Sequence, residues 1–395
     1  MLPRVLVATL FGAVAAVLSV LLVGPGLAQG PIRIGASLSM TGTYAQPANF
    51  QREGYLLCEK ELNGQGGLLG RKIQFVLYDD QSQPATAVRL YERLITEDKV
   101  DVVMGPYSSP VTEAVANVTE KYQKIMVSPL AATTSIFRKG RKYIVMVISP
   151  AEVYLEGLLD LAAKSGFRTV ALLNEDTLFP KATVLGTVEL ARQKGLQVVF
   201  QEAYPKGNTE FSALLVKVKA AQPDVIGAAT YFDDAVALTR QMKELDVNPK
   251  MFGVTVGGDL PRFGELLGKN AEFVYSASQW EPTLPHPGAR EFSERYQKEY
   301  GHEPSYHSAA GYAGCLIFAE AVKRAGSLDT ERVRKALLEL RTTTVFGEYA
   351  VDADGFQTAH KMVTLQWQEG KRTVVWPESV AGAKARIPTP PWSRR

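Results

Sequence analysis

The chain has 395 residues, of which 46% are hydrophobic and 22% charged, and its formal net charge at pH 7 is +3. This composition is ordinary for a globular protein, and so small and evenly mixed a charge argues against nucleic-acid binding. The length exceeds the usual size of a single hydrophobic core, so we expect two lobes or domains.

The first 28 residues have the three parts of a secretory signal peptide. Arg4 provides the basic start, Val5–Val23 form an apolar run, and Gly26-Leu27-Ala28 form a small-x-small cleavage site. The apolar run is also just long enough for an uncleaved membrane anchor, but the Gly-Pro-Gly after it and the cleavage site favour removal. No cysteine stands near the cut, so a lipid anchor is not expected. We predict a signal peptide over residues 1–28 and an exported, periplasmic protein.

Strand patterns then alternate with amphipathic helix patterns. Strands are predicted over Ile32–Ser39, Ile73–Asp80, Asp101–Gly105, Lys124–Pro129, Tyr143–Ser149, Thr169–Asn174, Val198–Ala203, Asp224–Tyr231, Lys250–Thr255, Phe273–Ser278, His360–Gln368 and Arg372–Val375. Helices are predicted over Gln51–Asn63, Pro84–Asp98, Val111–Tyr122, Glu152–Ser165, Lys181–Lys194, Glu210–Ala221, Asp233–Leu245, Gly288–Tyr300, Ser305–Ala325 and Thr330–Leu340. Several strands are continuous apolar runs, typical of sheets covered by helices on both faces. The sequence therefore predicts an α/β fold of parallel sheets and βαβ units.

Three joints interrupt this alternation. They lie at Tyr143–Ser149, at Ser276-Ala277-Ser278 and near Gly347–Gly355. Three joints imply that the chain passes three times between two lobes. The predicted lobes consist of residues 31–149 with 279–350, and of residues 150–278 with 351–377. The Pro-rich residues 378–395 have no periodicity and are expected to form a flexible tail.

The sequence lacks the common motifs of catalysis and cofactor binding. The glycine cluster Asn63–Gly70 follows a predicted helix and precedes a strand, the reverse of a dinucleotide-binding loop, so we interpret it as a helix end and turn. Asp79 and Asp80 end a strand, and we interpret them as caps of the next turn rather than an acid–base pair. None of the four histidines has metal-ligand spacing. We expect no enzyme activity, no cofactor and no metal.

Two loops at the carboxyl ends of predicted strands are suited to a carboxylate. In the first, Gly105–Pro110, Ser109 falls at the expected N-cap of a helix, and Ser108 adds a second hydroxyl. A helix N-terminus there offers unpaired N–H groups to an anion, although a capped helix without a ligand has the same pattern. The second loop, Ser128–Ser135, is rich in small residues and hydroxyls. In the other half of the chain, Tyr231 ends a strand and is expected to form an aromatic wall.

The sequence contains two cysteines, Cys58 and Cys315. Export makes one disulfide between them chemically possible, and their apolar, helical surroundings equally suit buried free thiols. Two cysteines so far apart in sequence form neither a CxxC redox pair nor a zinc site.

The chain resembles the branched-chain amino-acid-binding family of periplasmic solute-binding proteins of ABC transporters, over nearly all of Ile32–Pro377. The segments that carry the resemblance are IRIGASLSMTG, GYLLCEKELNGQGGLLGRKIQFVLYDDQSQPATAV, VVMGPYSSPVTEAV, PLAATTS, FSERYQKEYGHEPSYHSAAGYAGCLIFAEAVKRAG, and FGEYAVDADGFQ followed by VVWP. The resemblance implies a type I fold, in which two Rossmann-like lobes with parallel central sheets are joined by three hinge crossovers. It also implies that the lobes close on a ligand and that the closed form docks on a membrane permease.

The resemblance also implies roles for single residues. The serine pair Ser108-Ser109 matches the carboxylate-binding position of the family. Ala131 and Thr133 match the adjacent loop, which contacts the ligand's carboxylate and amino group, and Ala132 could take either place. Tyr231 matches the tyrosine that the second lobe contributes.

Two departures from the family weaken the expectation of an amino acid. Phe179 stands where the family often has a tyrosine, so a bare ring replaces a hydroxyl. The acid that pairs with the ligand's ammonium would be expected at Val254-Thr255, and Asp259 is the nearest substitute. Because a buried ammonium without a charged partner is costly, an aromatic or aliphatic carboxylate is an alternative ligand. The candidates for an aromatic-lined cavity, all of which are also ordinary core residue types, are Tyr44, Tyr107, Phe179, Tyr231 and Trp280.

We therefore expect a monomeric, exported binding protein that captures an amino acid or related small carboxylate between two closing lobes and delivers it to an ABC permease. An alternative is a ligand-sensing protein for aromatic or aliphatic carboxylates that acts with a receptor. An exported enzyme is a third hypothesis, and the lack of a nucleophile–base pair in the sequence argues against it.

Overall fold

The computed structural model describes residues 30–395, so the predicted signal peptide, residues 1–28, lies outside the described residues. The helices are α1 (Ala45–Gly64), α2 (Pro84–Thr96), α3 (Ser109–Lys121), α4 (Thr134–Phe137), α5 (Glu156–Lys164), α6 (Leu178–Gln193), α7 (Ser212–Ala221), α8 (Phe232–Glu244), α9 (Pro261–Leu267), α10 (Ala289–Tyr300), α11 (Tyr306–Ala325) and α12 (Thr330–Glu339). Within the described part of the chain, none of these helices has the length and apolarity needed to cross a bilayer.

The strands are β1 (Ile32–Leu38), β2 (Ile73–Asp79), β3 (Val102–Met104), β4 (Met126–Ser128), β5 (Ile144–Met146), β6 (Thr169–Glu175), β7 (Gln197–Tyr204), β8 (Val225–Ala229), β9 (Met251–Val254), β10 (Tyr275–Ser278), β11 (Thr342–Thr344), β12 (Gly347–Tyr349), β13 (Val363–Gln368) and β14 (Lys371–Trp376). The predicted strands and helices are present in the predicted order. The short elements α4, α9, β11 and β12 were not predicted.

The first sheet has five parallel strands in the order β2-β1-β3-β4-β5. In β1, Ile34 pairs with Phe75 of β2 on one side and with Val102 of β3 on the other. Residues on both faces of β1 are fully buried, among them Ala36 and Ser37. Covered faces are what continuous apolar runs predict for a parallel sheet.

The second sheet has seven strands in the order β14-β13-β10-β9-β8-β6-β7. The five strands from β10 to β7 are parallel, as predicted for a central sheet, and β13 and β14 are antiparallel additions at one edge. The reason is local, because β13 and β14 are joined by only two residues, Glu369 and Gly370, with φ of +55° and +73°. Two positive φ values in a two-residue loop form the turn that makes a hairpin.

The three passages between the sheets meet at one point. The side-chain oxygen of Gln279 accepts a hydrogen bond from the N–H of Ser149 (2.8 Å), and the Ser149 hydroxyl donates to the carbonyl of His360 (3.0 Å). The His360 ring closes the network at 3.1 Å from the Gln279 carbonyl. The third passage thus meets the others at His360, beyond the expected Gly347–Gly355, whose first three residues form β12. The exact lobe boundaries stay a prediction.

Helices α1 and α11 cross at very short range and are covalently joined. A Cβ atom at Gly54 would lie 2.2 Å from the carbonyl oxygen of Ser308, and one at Gly311 2.7 Å from that of Gln51. One turn beyond each glycine stands a cysteine, on the same helix face. Cys58 and Cys315 form a disulfide with a Cα separation of 6.3 Å, which decides between the two alternatives that the sequence left open.

The C-terminal residues 378–395, expected to be a flexible tail, lie against the second sheet. Trp392 is buried, and its ring N–H donates a hydrogen bond to the carbonyl of Val247 (2.7 Å). The backbone N–H of Thr389 donates to the carbonyl of Lys250 (2.8 Å). The flexible tail was predicted because residues 378–395 show no helix or strand periodicity. A segment without periodicity can still be held in place when one large aromatic side chain is buried.

Candidate ligand-binding site

A small enclosed cavity lies where strand ends of the two sheets face each other. Its volume is about 10 Å³, roughly that needed by one water molecule. Its lining, which contains no permanently charged side chain, consists of Tyr107, Ser108, Ser109, Leu130, Tyr154, Phe179, Tyr231, Val256, Tyr306 and His307. An amino-acid-sized ligand does not fit this space as it stands.

Larger grooves lie elsewhere, among them two of about 490 Å³ and 750 Å³. Both are open, and both are bordered by Gly264, Trp367 and Gly370. Neither includes the serine loops that follow β3 and β4. We place the candidate site in the enclosed cavity, because ligands of open α/β sheets bind at the carboxyl ends of strands.

The two serines begin α3, one position away from the expected arrangement. Ser109 is the first helical residue rather than the N-cap, and Ser108 precedes it with φ +73° and ψ 147°. This backbone conformation is rare for residues other than glycine and costs about 1–3 kcal/mol. Residues strained in this way are found most often at functional sites. Both serines are buried.

The neighbouring loop completes a polar cradle around Ser109. The Ser109 hydroxyl oxygen accepts hydrogen bonds from the N–H groups of Ala132 (3.2 Å) and Thr133 (3.3 Å). Within residues 30–395, the buried hydroxyls of Ser108 and Thr133 have no hydrogen-bond partner. Ala131, next to them, is also fully buried. Unpaired buried hydroxyls beside backbone N–H donors are suited to an anionic group of a ligand.

Aromatic rings from both sheets meet across the cavity. Tyr231 of the second sheet lies 4.5 Å from the ring of Tyr44 and 6.4 Å from that of Tyr107, both on the first-sheet side. Phe179 lies 5.7 Å from Tyr231 and 5.0 Å from Tyr154. The arrangement can sandwich a flat or branched apolar group between the lobes.

Tyr231 is held in place by a buried acid. Asp234 accepts hydrogen bonds from the backbone N–H of Tyr231 (2.8 Å) and from the hydroxyl of Tyr204 (2.6 Å). Burial raises the pKa of Asp234 to about 7, against the lowering effect of the Tyr204 hydrogen bond. Asp234 is therefore a positioning residue for the aromatic wall.

A histidine that sequence reasoning set aside stands at the centre of the site. His307 is fully buried at the start of α11, and its Nε2 lies 3.3 Å from the hydroxyl of Tyr107. Its Nδ1 lies 3.3 Å from Oδ2 of Asp259, whose Oδ1 accepts the N–H of Gly257 (3.0 Å). Asp259, the candidate partner of an ammonium, is thus brought to the site but stands behind His307.

Contacts between the lobes close the cavity on one side. The Lys206 amine, after β7, donates a hydrogen bond to the carbonyl of Ser82 (3.1 Å) and lies 4.4 Å from the ring centre of Tyr44. The hydroxyl of Thr134 donates to Glu152 across the same interface (2.7 Å). These contacts belong to the closed arrangement of the lobes.

The predicted site residues fall into three groups. Those that line the cavity are Tyr107, Ser108, Ser109, Phe179 and Tyr231. Those that adjoin it are Tyr44, Ala131, Ala132, Thr133 and, through His307, Asp259. The expectation for Trp280 is wrong, because its ring N–H donates to the carbonyl of Val345 (2.8 Å) and its ring packs on Phe292.

Sequence reasoning missed Tyr154, Tyr306 and His307. The histidines were tested only for metal-ligand spacing. The signal that could have pointed to His307 is the helix start at Ser305. Ser305 caps α11, and its hydroxyl oxygen accepts a hydrogen bond from the N–H of His307 (3.2 Å).

Known proteins are similar to this chain over most of its length. A sequence model described as periplasmic binding protein matches residues 31–372. Leu/Ile/Val-binding protein homolog 7 of Brucella suis is 25% identical over 396 residues, covering 95% of this chain and 98% of that protein.

Two solved structures share the fold. The branched-chain amino acid transporter substrate binding protein LivJ of Streptococcus pneumoniae, in complex with isoleucine, has a TM-score of 0.80 and 24% identity, covering 88% of this chain and 100% of that one. A solute binding protein of an ABC transporter from Rhodopseudomonas palustris, in complex with 3,4-dihydroxy benzoic acid, has a TM-score of 0.77 and 24% identity. The match covers 87% of this chain and 95% of that one. Two α/β lobes, parallel central strands and a match over most of its length show that the chain belongs to the periplasmic binding protein family, with the type I fold of the branched-chain amino-acid-binding group.

Proposed function

We propose that this protein is the extracytoplasmic solute-binding component of an ABC importer and captures a small carboxylate between its lobes. The observation that carries the proposal is the cradle at Ser108 and Ser109, which faces aromatic rings of the other lobe across an enclosed cavity. The ligand's carboxylate would accept hydrogen bonds from the hydroxyls of Ser108, Ser109 and Thr133, and its apolar part would pack on Tyr231 and Phe179. Export to the periplasm, a monomeric state and delivery to a permease are parts of the same proposal.

A binding role rather than catalysis is supported by the lining of the cavity. The family consists of binding proteins. Among the described residues that line the cavity, His307 is the one general base, and neither serine is within hydrogen-bond distance of it. Closure of two lobes by a ligand also needs no chemical step, because the ligand stabilises the closed form by binding it better than the open one.

The proposal is tested by calorimetric titration of the purified protein with benzoate, 3,4-dihydroxybenzoate, leucine and isoleucine. We expect at least one to bind and to raise the melting temperature as it saturates the protein. Ser109→Ala should weaken that binding about 10-fold or more, because a hydrogen bond to a charged group is worth about 1.5–3 kcal/mol.

The matched control is Ser165→Ala at the exposed end of α5, where the hydroxyl bonds only to the carbonyl of Leu161. It should leave the affinity unchanged. If none of the four compounds bound, or if Ser109→Ala behaved like Ser165→Ala, the proposed cradle would be wrong.

A further inference from the structure

Building on the proposed function, we propose that the ligand site has a second polar subsite, formed by the hydroxyls of Tyr44 and Tyr231. The carboxylate that this protein captures is then aromatic and carries a neutral hydroxyl at the end of the ring away from its carboxylate.

The two tyrosines meet across the interface between the lobes. Tyr44 stands just before α1 on the first-sheet side, Tyr231 follows β8 of the second sheet, and their ring centres are 4.5 Å apart. The two residues are only 1% and 4% exposed, and in the described part of the chain neither hydroxyl has a hydrogen-bond partner. Buried hydroxyls without partners are costly, so two at one place indicate a ligand group that pairs with them when the lobes close on it.

The tyrosine hydroxyls lie on the opposite side of the site from the serine cradle. Burial and the charge of Glu175 raise the pKa of Tyr44. The hydroxyls of Tyr231 and Thr177 oppose that rise, so they lie close to the Tyr44 hydroxyl. Glu175 and Thr177 are at the carboxyl end of β6 in the second sheet, whereas Ser109 follows β3 in the first. A ligand that bridges the lobes therefore has its carboxylate at the cradle and its other end at the tyrosines.

The charges beside the tyrosines favour a neutral group. Glu175 is buried and accepts hydrogen bonds from the Thr177 hydroxyl (2.8 Å) and the N–H of Gly207 (3.2 Å). The Lys206 amine lies 4.4 Å from the ring centre of Tyr44, and its charge acts on Glu175. A second carboxylate on the ligand would meet the charge of Glu175, and an ammonium would meet that of Lys206. Either charge would be costly to bury there.

A hydroxyl is the neutral group that pairs with both tyrosines. A phenolic hydroxyl has one donor and can also accept, so a ligand hydroxyl can donate to one tyrosine and accept from the other. A ligand that ends in a methyl group leaves both tyrosine hydroxyls unpaired. A site built to hydrogen-bond a hydroxyl rejects the analogue that lacks it.

The space between the two polar ends is bordered by rings. Phe179 lies 5.7 Å from Tyr231 and 5.0 Å from Tyr154, and Tyr107 lies 6.4 Å from Tyr231, measured between ring centres. Rings at these distances make offset or edge contacts with a further flat ring. The hydrogen-bonding ends and the aromatic middle together match a hydroxylated aromatic carboxylate.

The test is calorimetric titration of the purified full-length mature protein with 4-hydroxybenzoate, 4-methylbenzoate, benzoate and terephthalate. The hydroxyl and methyl compounds have nearly the same shape, and an apolar subsite would prefer the methyl compound. We expect 4-hydroxybenzoate to bind about tenfold or more tightly than 4-methylbenzoate, and terephthalate, with its second carboxylate, to bind more weakly than benzoate. The inference is overturned if 4-methylbenzoate binds as tightly as 4-hydroxybenzoate, or if terephthalate binds best.

Two variants connect this preference to the tyrosines. Tyr44→Phe and Tyr231→Phe should each weaken the binding of 4-hydroxybenzoate about fivefold or more. Each should leave the affinity for 4-methylbenzoate unchanged or higher, because the hydroxyl that is removed has no partner in the protein. A purely structural role would weaken both compounds alike and would contradict the inference. The comparison of ligands in the unmodified protein decides the question even if a variant does not fold.

The matched control is Tyr143→Phe. Tyr143 stands before β5, at the edge of the first sheet opposite to the serine loops, and its hydroxyl donates to Glu331 (2.7 Å). This variant should keep the full preference for 4-hydroxybenzoate. If it lost the preference to the same extent as Tyr231→Phe, the assignment to the tyrosine pair would be wrong.

The outcomes separate the two proposals. If none of these carboxylates binds, and neither leucine nor isoleucine does, the proposed function fails and this inference fails with it. If any of them binds but a hydroxyl on the ring brings no gain in affinity, the proposed function stands and the second polar subsite is ruled out.

Discussion

At the scale of single residues, buried acids make the stability of this protein depend on pH. Glu281 is 7% exposed, and burial raises its pKa to about 7, with Arg372 opposing the shift and Asp259 adding to it. The folded state therefore holds a proton that the unfolded chain has already released near its ordinary pKa of about 4.3. From that pH up to about 7, the unfolded state binds fewer protons, so the free energy of unfolding falls as the pH rises.

Glu281→Gln removes this penalty. Relative to the unmodified protein, the variant should gain about 2–3 kcal/mol of stability between pH 5 and pH 8, from 1.36 kcal/mol per pKa unit. Urea unfolding at the two pH values measures the difference. Glu299→Gln, at a half-exposed ion pair with Lys60, should show no such pH-dependent gain. An equal gain at both pH values would contradict the raised pKa.

Some residues of the candidate site could be predicted from the sequence and others could not. Ser108 and Ser109 were predictable because a strand end, two hydroxyls and a proline mark a helix start locally. His307 was not, because it lies about 200 residues from Tyr107 and gains its role only when α11 packs beside the β3 loop. The positive φ of Ser108 also left no trace in the residue types.

At the scale of elements, the crossing of α1 and α11 depends on the absence of side chains. Gly54→Ala places a Cβ within 2.2 Å of the Ser308 carbonyl oxygen, a backbone atom that cannot rotate away. We expect a loss of about 3 kcal/mol or more in the free energy of unfolding, at the upper end for overpacking. Because α11 begins at Tyr306 and His307, ligand affinity should fall as well.

The control lies on the same helix. A Cβ at Gly64 meets nothing within 4 Å, so Gly64→Ala should change stability by less than about 1 kcal/mol. Denaturant unfolding of both variants, with the disulfide intact, compares them directly. Similar stabilities for the two would mean that the helices can move apart without cost.

The order of strands and helices was predictable because each long element carries its own periodicity. The missed elements are too short for a period to show, such as α4 with four residues and β11 and β12 with three each. The disulfide was left open because pairing depends on how α1 crosses α11, which depends in turn on Gly54 and Gly311. The tail was mispredicted for a similar reason, since Trp392 finds its partner Val247 in a distant part of the chain.

At the scale of the whole molecule, ligand affinity depends on the balance between open and closed lobes. The cavity of about 10 Å³ shows that side chains fill the interface when the lobes are closed. The hydrogen bonds among Ser149, Gln279 and His360 join the three passages, so we expect the lobes to move about this common point. A contact made only in the closed form raises the apparent affinity by the factor by which it populates that form.

Lys206 makes such a contact, and Lys206→Met isolates it. Methionine keeps most of the apolar stem but loses the hydrogen bond to Ser82 and the interaction with the Tyr44 ring, together worth about 1–2.5 kcal/mol. Only the closed form loses these, so the affinity for the carboxylate bound best should fall about 5- to 70-fold. The radius of gyration without ligand, measured by small-angle X-ray scattering, should rise. Lys217→Met, whose amine pairs with Glu202 within one lobe, should change neither quantity. A variant that bound weakly without becoming more open would show that Lys206 acts on the ligand rather than on closure.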